Sequence, residues 1–451
     1  MIKNFFDKLF STRASGLYIL LFAISIGVAT FVENDFGTSA AQKVIFRSAW
    51  FELLLVLFGM SILINIFRFK MIRQKKWAIL LFHASILIIL IGAGITRYFG
   101  TEGRMHIREG ARSNVIISNE TYLKFKVRTP SGKSYSFDEP VYFASLGKNK
   151  FDKSYQIGSQ LIQVDLKKFT PNPATSLVDD PTGTPVIKVV ISGGDGREEY
   201  YLKQGESKLI HEAVFNFGGG IIPTAINFLY QDQHLLIQTP DSITQFQMAI
   251  QKTDRLGPNA LNPLLVRTLY TLQGLNFVIG DFKPNAVLAN TSASPKMKNG
   301  SLALLDLDID VNGSRGIIST YGIHGELGEY QYRKVGECEI GIAYGSKEVK
   351  VPFYLQLNDF ILDRYPGTNS PSSYASEVTL IDNVNNVNRD QRIYMNHVLD
   401  HQGYRFFQSS FDQDELGTVL SVNHDAPGTW VSYLGYFLLT LGMILTLLSR
   451  K

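Results

Sequence analysis

One histidine, His83, sits in the run "WAILLFHASILIILIGAGIT", where every other residue is apolar, small or hydroxyl-bearing. An imidazole in hydrocarbon costs free energy unless its nitrogens find partners, and ionisable groups inside membranes mark ion or cofactor pathways. Neutral imidazole is a good axial ligand for haem iron, so this position suggests ligation of a porphyrin metal. The other reading is a ring whose N–H bonds a neighbouring helix. A membrane cytochrome that clamps haem between two histidines needs a pair, and the apolar runs of this chain hold one. A second ligand must then come from another protein or a second copy. Glu52 is the one Asp, Glu, Lys or Arg in those runs. On a slab about 30 Å thick its depth differs from that of His83 by about 15 Å, which disfavours a direct hydrogen bond. Snorkelling of the carboxylate to the membrane surface is expected instead.

The other seven histidines are His106, His211, His234, His324, His397, His401 and His424. None makes H-E-x-x-H. His397 and His401, four apart, could share a helix face, but no third ligand lies near them in sequence. The segment "NHDAPGTW" is more informative, because it passes from a strand-like run into an apolar one. His424 is placed there for a second haem contact. Asp425 either caps the following helix, as Thr429 also could, or stands at a haem exit. The glycines of "GTPVIKVVISGGDG" lack G-x-x-x-x-G-K-[ST], and Gly218–Gly220 reads as a turn. One cysteine, Cys338, excludes an intramolecular disulfide and a Cys-x-x-Cys pair; it falls in the alternating stretch "ECEIGIAYG" and reads as a buried strand residue.

The elements that must position these residues come in two kinds. Residues 15–32, 48–67, 77–96 and 430–449 are each long enough to cross about 30 Å of hydrocarbon at about 1.5 Å per residue. The first follows a basic start but is long for a signal peptide, and is expected to stay as an anchor. Arg68, Lys70, Arg73, Lys75 and Lys76 crowd the loop 68–76, Lys3, Lys8 and Arg13 precede the first run, and Arg450 and Lys451 follow the last. Short basic loops stay in the cytoplasm. The expectation is a multi-pass bacterial inner-membrane protein with both termini inside, and with His83 about 9 Å from the cytoplasmic face. The first 96 residues carry ten Lys/Arg and four Asp/Glu, so a chain total of +4 with a basic final pair leaves residues 97–449 at −4. An acidic outer domain argues against nucleic acid as partner.

Residues 97–429 alternate apolar and polar in short runs such as "TYLKFKVRT", "PVIKVVIS" and "SLALLDLDIDV". The spacing predicts a large β-rich extracytoplasmic domain with antiparallel sandwich- or barrel-like layers, possible to divide near 283–300, with some helix around 242–253 and 266–273. The fold class is therefore an α-helical membrane protein of four transmembrane helices bearing that domain: residues 1–96 hold three, and 430–451 the fourth with its tail.

Three blocks resemble the ResB family, the CcsB half of the System II cytochrome c biogenesis machinery: "FHASILIILIGAGITRYFGTEGRMHIREG" (82–110), "PFYLQLNDFILDRYPGTNSPSSYASEVTLID" (352–382) and "GYRFFQSSFDQDELGTVLSVNHDAPGTWVSYLGYFLLTLGMI" (403–444). Residues 148–300 match nothing comparable. The resemblance implies a subunit that works with CcsA to carry non-covalent haem b across the membrane. Haem is then presented for attachment to apocytochrome c, with thiol-reducing thioredoxin-like proteins as further partners. It implies no separate enzymatic activity. It makes His83 the membrane haem ligand and assigns the complementary histidines and a tryptophan-rich loop to CcsA. Trp50, Trp77 and Trp430 form no such loop, so one half of the machinery is expected here. The rival is a membrane-anchored ligand-binding or envelope-assembly scaffold without cofactor, in which His83 is dispensable.

Overall fold

The computed structural model describes residues 2–193 and 196–448. Ser449, Arg450 and Lys451 lie outside the described residues, as do Gly194 and Asp195 of the glycine run. Five α-helices are described: α1 (Ile2–Leu9), α2 (Thr12–Ala41), α3 (Ala49–Arg68), α4 (Trp77–Phe99) and α5 (Ala426–Leu448). A π-helical turn, Gln42–Phe46, extends α2. Among the described residues, four segments are long and apolar enough to cross a membrane: Thr12–Phe46, Ala49–Arg68, Trp77–Phe99 and Ala426–Leu448.

In lipid, helices associate through close packing and polar contacts, because burying apolar surface gains nothing over acyl chains. Both devices are present. Gly428, Gly435 and Gly442 recur every seventh residue and are buried on α5. A methyl added to Gly435 would lie 2.6 Å from Ile89 Cγ1 and 3.1 Å from the Ile89 nitrogen of α4; one added to Gly442 would lie 2.8 Å from the Phe82 nitrogen. On the far side of the bundle, the Ser15 and Ser61 hydroxyls meet at 2.6 Å and Asn65 Nδ2 donates to Ser15 Oγ at 3.3 Å, tying α2 to α3. α2 is broken at Gly37, whose φ of 79° suits glycine, and a side chain there would strike the Met297 carbonyl at 2.7 Å. Beside that break, Asp35 pairs with Lys296 at 2.7 Å, and Asn299 Oδ1 accepts from the Thr38 nitrogen at 3.2 Å.

By internal contacts the chain forms two compact units, residues 1–173 with 292–451, and residues 174–291. In the first unit, one eight-stranded sheet runs in the order Val387–Tyr394, Pro371–Asp382, Glu348–Arg364, Arg112–Ser118, Thr101–Arg108, Gly417–His424, Tyr404–Phe411, Leu399–His401. Its alternation is strict where it leaves the membrane: Gly103, Met105 and Ile107 are buried while Glu102, Arg104 and His106 are exposed. The buried side chains of every strand form one cluster, from Met105 through Phe353, Leu380 and Ile393 to Leu399 and Phe406. A single sheet can enclose its own core only by curling. The two end strands are stapled by side chains, Arg389 to the Asp400 carbonyl at 3.3 Å and Gln391 to the Val398 carbonyl at 3.0 Å. The result is a nearly closed barrel, and burying each such Phe or Leu contributes about 1.5–3 kcal/mol. The same unit holds a sandwich of two four-stranded sheets packed around Phe125, Leu305, Ile309 and Ile340, with Cys338 buried among them.

The second unit packs a five-stranded against a six-stranded sheet around Phe215, Phe217, Phe228, Tyr270 and Phe277. One pair, Ala213–Phe217 with Ile226–Gln231, is parallel. Its short connection, which includes Gly218–Gly220, is stitched by Asn216 Nδ2 donating to the Gly220 carbonyl (2.6 Å) and to Asn227 Oδ1 (2.7 Å). The expected helices at 242–253 and 266–273 are strands instead: Ile243–Gln247, Lys252–Leu256 and Leu269–Leu272. Pairing decides it, with Phe246 opposite both Thr253 and Leu269, and Gln251 in the left-handed region (φ 51°) closes the hairpin. Among the described residues, no α-helix lies between Phe99 and Ala426.

One rim of the barrel is organised by Asp382, whose side chain is fully buried. It accepts from the Val384 and Asn385 nitrogens (3.0 Å each), Asn385 Nδ2 (2.8 Å), His401 Nε2 (2.8 Å) and Gln402 Nε2 (2.6 Å). Bonds from Asn385, then from His401, hold its carboxyl far below the usual carboxylate range. A depressed folded-state pKa stabilises fully above the unfolded value of about 3.9 and is lost as pH falls through that value toward the folded one. Asp382→Asn should therefore lower the melting temperature at pH 7 and flatten its decline between about pH 5 and 3. Identical acid limbs in thermal melts of the two proteins would contradict this. His397 does not join His401: it stacks on Tyr394 at 3.9 Å in a tight turn, so the shared helix face does not exist.

Candidate functional site

His83 lies two turns into α4, and its Nδ1 is 2.8 Å from the carbonyl of Ile79. A carbonyl only accepts, so Nδ1 carries a proton, and in the neutral imidazole Nε2 keeps its lone pair. The N–H is thus satisfied by its own helix rather than by a neighbouring one. Among the described residues Nε2 has no hydrogen-bond partner. The ring is half-buried and touches Phe82 edge-on at 5.5 Å. Phe82, Ser85, Ile89 and Gly92 serve the α5 contact, whereas His83, Leu87 and Leu90 form a separate stripe at i, i+4, i+7. Leu87 and Leu90 of that stripe rest against Gly59 of α3. Such an imidazole, pinned by one nitrogen with the other available, is the arrangement found at metal-binding histidines.

Glu52 is at the opposite end of the bundle from His83, beside the β domain. Arg97 donates to its Oε1, and the Tyr98 hydroxyl lies 3.3 Å from the same oxygen. Arg97 also donates to the Phe46 carbonyl at 2.5 Å. Pairing makes a charge at a helix end tolerable, and here it fixes the ends of α3 and α4 together.

Next to that pair lies a cavity of about 1100 Å³, whose walls include the domain-side ends of the helices and the mouth of the barrel. His424 lines it, on a strand where it sits opposite both Thr101 and Tyr404. Its ring lies flat on that of Tyr404, with centroids 4.0 Å apart and planes 13° apart. Neither of its nitrogens has a protein partner among the described residues. Asp425 uses its carbonyl to start α5, accepting from the Thr429 nitrogen at 3.0 Å, while its carboxylate accepts from Thr96 Oγ1 at 3.4 Å and ties α5 to α4.

Sequence reasoning passed over His324, Arg104 and Arg47, which line the same cavity. Burial, and then the charge of Arg104, lower the pKa of His324, which favours its neutral ring. Only the placement of Arg97 and Glu52 at matching ends of antiparallel runs was a signal available in the sequence. His83 and His424 are not brought together: about 13 residues of α4, or about 20 Å, separate His83 from the helix end that borders the cavity.

Comparison with known proteins bears on the same regions. Residues 73–159 and 334–421 match the model of the ResB-like family. The chain is 30% identical over 434 residues to Protein NrfI of Wolinella succinogenes, covering 96% of this chain and 34% of the relative. It therefore spans about a third of that protein's length. The matched segments contain α4 with His83, the strand bearing Arg104 and most of the barrel; Glu52, His324, His424 and Asp425 fall outside them. In those two segments the chain is similar to the ResB-like family, and its four long apolar helices stand three before and one after a β-rich domain.

Proposed function

We propose that this protein is a subunit of the machinery that matures c-type cytochromes, carrying haem through the membrane with a CcsA-type partner for attachment to apocytochrome c. The observation that carries this reading is the state of His83. Its Nδ1–H is spent on Ile79, which leaves Nε2 a Lewis base in a segment that matches the family. Haem is cargo here, and the iron's second axial ligand is a histidine of the partner. Histidine ligation away from water favours a defined iron oxidation state. In this reading the His83 end of the bundle lies at the cytoplasmic face of a bacterial inner membrane and the β domain at the periplasmic side, which the basic short loops support. Thiol-reducing thioredoxin-like proteins, which keep the recipient cysteines reduced, complete the set of partners.

The test is complementation. In cells stripped of their own cytochrome c maturation genes, this chain with a CcsA-type partner is expected to restore covalent haem staining of a reporter cytochrome, and the partner alone is not. A reporter fused after Lys70 should read cytoplasmic and one near Gly300 external. Equal haem staining without this chain would refute the proposal.

A further inference from the structure

The cavity beside the β domain has two kinds of wall. At helix level it is lined by Phe46, Ala93 and Tyr436; at barrel level, Arg104, His324 and His424 line it. At about 1100 Å³ it exceeds the roughly 300–1,000 Å³ that ordinarily encloses a drug-sized ligand. Its cations are not equivalent. Arg47 pairs with Glu120 at 3.3 Å, Arg97 with Glu52, and Lys347 with Asp138 at 3.6 Å. Among the described residues, Arg104 has no carboxylate partner. Glu102 and Glu326 also line the cavity, and neither forms an ion pair with it.

Arg104 is nevertheless held in place. One guanidinium nitrogen donates to the Gly325 carbonyl. Gly325 has a φ of 83°, and a methyl there would come within 2.8 Å of Arg104 Nη2. The turn is thus shaped to seat this arginine and leave the rest of its planar fork for another acceptor. A guanidinium fork matches a carboxylate in two parallel hydrogen bonds. The Tyr404–His424 stack supplies a flat platform in the same cavity. A ligand that suits these walls has a flat apolar body and carboxylate arms.

We propose that this cavity receives a tetrapyrrole dicarboxylate, with Arg104 binding a carboxylate arm. The inference rests on the transport reading and adds to it a second station, on the β-domain side, read by the cargo's acid groups rather than its iron. The probe is iron-free protoporphyrin IX, compared with its dimethyl ester, in fluorescence titrations of the full-length protein in nanodiscs. The diacid should bind about tenfold more tightly than the diester. Arg104→Gln should abolish that preference while leaving the diester unaffected. If the glutamine variant loses both ligands, Arg104→Lys, which keeps the charge, must restore a preference for the diacid. Equal binding of diacid and diester by the unaltered protein, or a diacid preference that survives Arg104→Gln, would overturn the assignment. Because the probe has no iron to ligate, failure here leaves the role of His83 standing, and failure at His83 leaves this site standing.

Discussion

Replacing His83 with glycine is expected to cut the Soret absorbance of the protein purified with the proposed CcsA-type partner by about tenfold or more, and added imidazole should return part of it. The backbone consequence is small by comparison, since glycine in a helix interior costs about 1 kcal/mol. α4 keeps its seat because the α5 contact is made by Phe82, Ser85, Ile89 and Gly92, none of which is altered. What disappears is the one intramembrane imidazole of this chain. The hole left behind is the size of the reagent that should refill it. An unchanged spectrum with unchanged cytochrome c yield would reduce this chain to an anchor for its β domain.

Enlarging Gly435 should damage the packing of α5 against α4. A Cβ there already meets Ile89 Cγ1 at 2.6 Å, and the Ile89 nitrogen and Ser85 carbonyl at 3.1 and 3.2 Å. The side-chain atom can turn away, but backbone atoms cannot move without separating the helices. Overpacking ordinarily costs about 1–3 kcal/mol, and Gly435→Leu is placed at or above the top of that range. Gly94 is the matched control, because nothing lies within 4 Å of a methyl added to it, and Gly94→Leu should change stability by no more than about 0.5 kcal/mol. Thermal melts in detergent check both; similar melting temperatures for the two variants would show that α4 and α5 do not depend on this contact. The contact also sets where two proposed site residues stand, since α4 carries His83 and α5 continues the strand that ends in His424.

The membrane layout was legible because hydrocarbon imposes one rule, long uncharged helices, and the four apolar runs obey it. The β domain was legible for a similar reason: "SLALLDLDIDV" places Leu305, Leu307 and Ile309 on one buried face with the period of a strand. Failure came where local pattern was weak and pairing decided. Residues 242–253 have no strong period, and only their hydrogen-bonded neighbours make them a hairpin. His83 could be singled out because its environment is written in adjacent residues. The cavity could not, because Arg104, His324 and His424 are distant in sequence and meet through the curl of one sheet and a turn from another. Glu52 lies between the two cases: its level in the membrane was readable, but its bond to Arg97 needed the antiparallel placement of α3 and α4.

The central claim is that iron passes through the coordination sphere of His83 Nε2. The most direct measurement is an experimental structure of the complex loaded with haem. The account predicts a flat macrocycle against α4 at the His83 ring, its iron at bonding distance from Nε2, while Nδ1 still donates to Ile79. Density for a lipid acyl chain against that ring, with haem bound elsewhere in the complex, would contradict it.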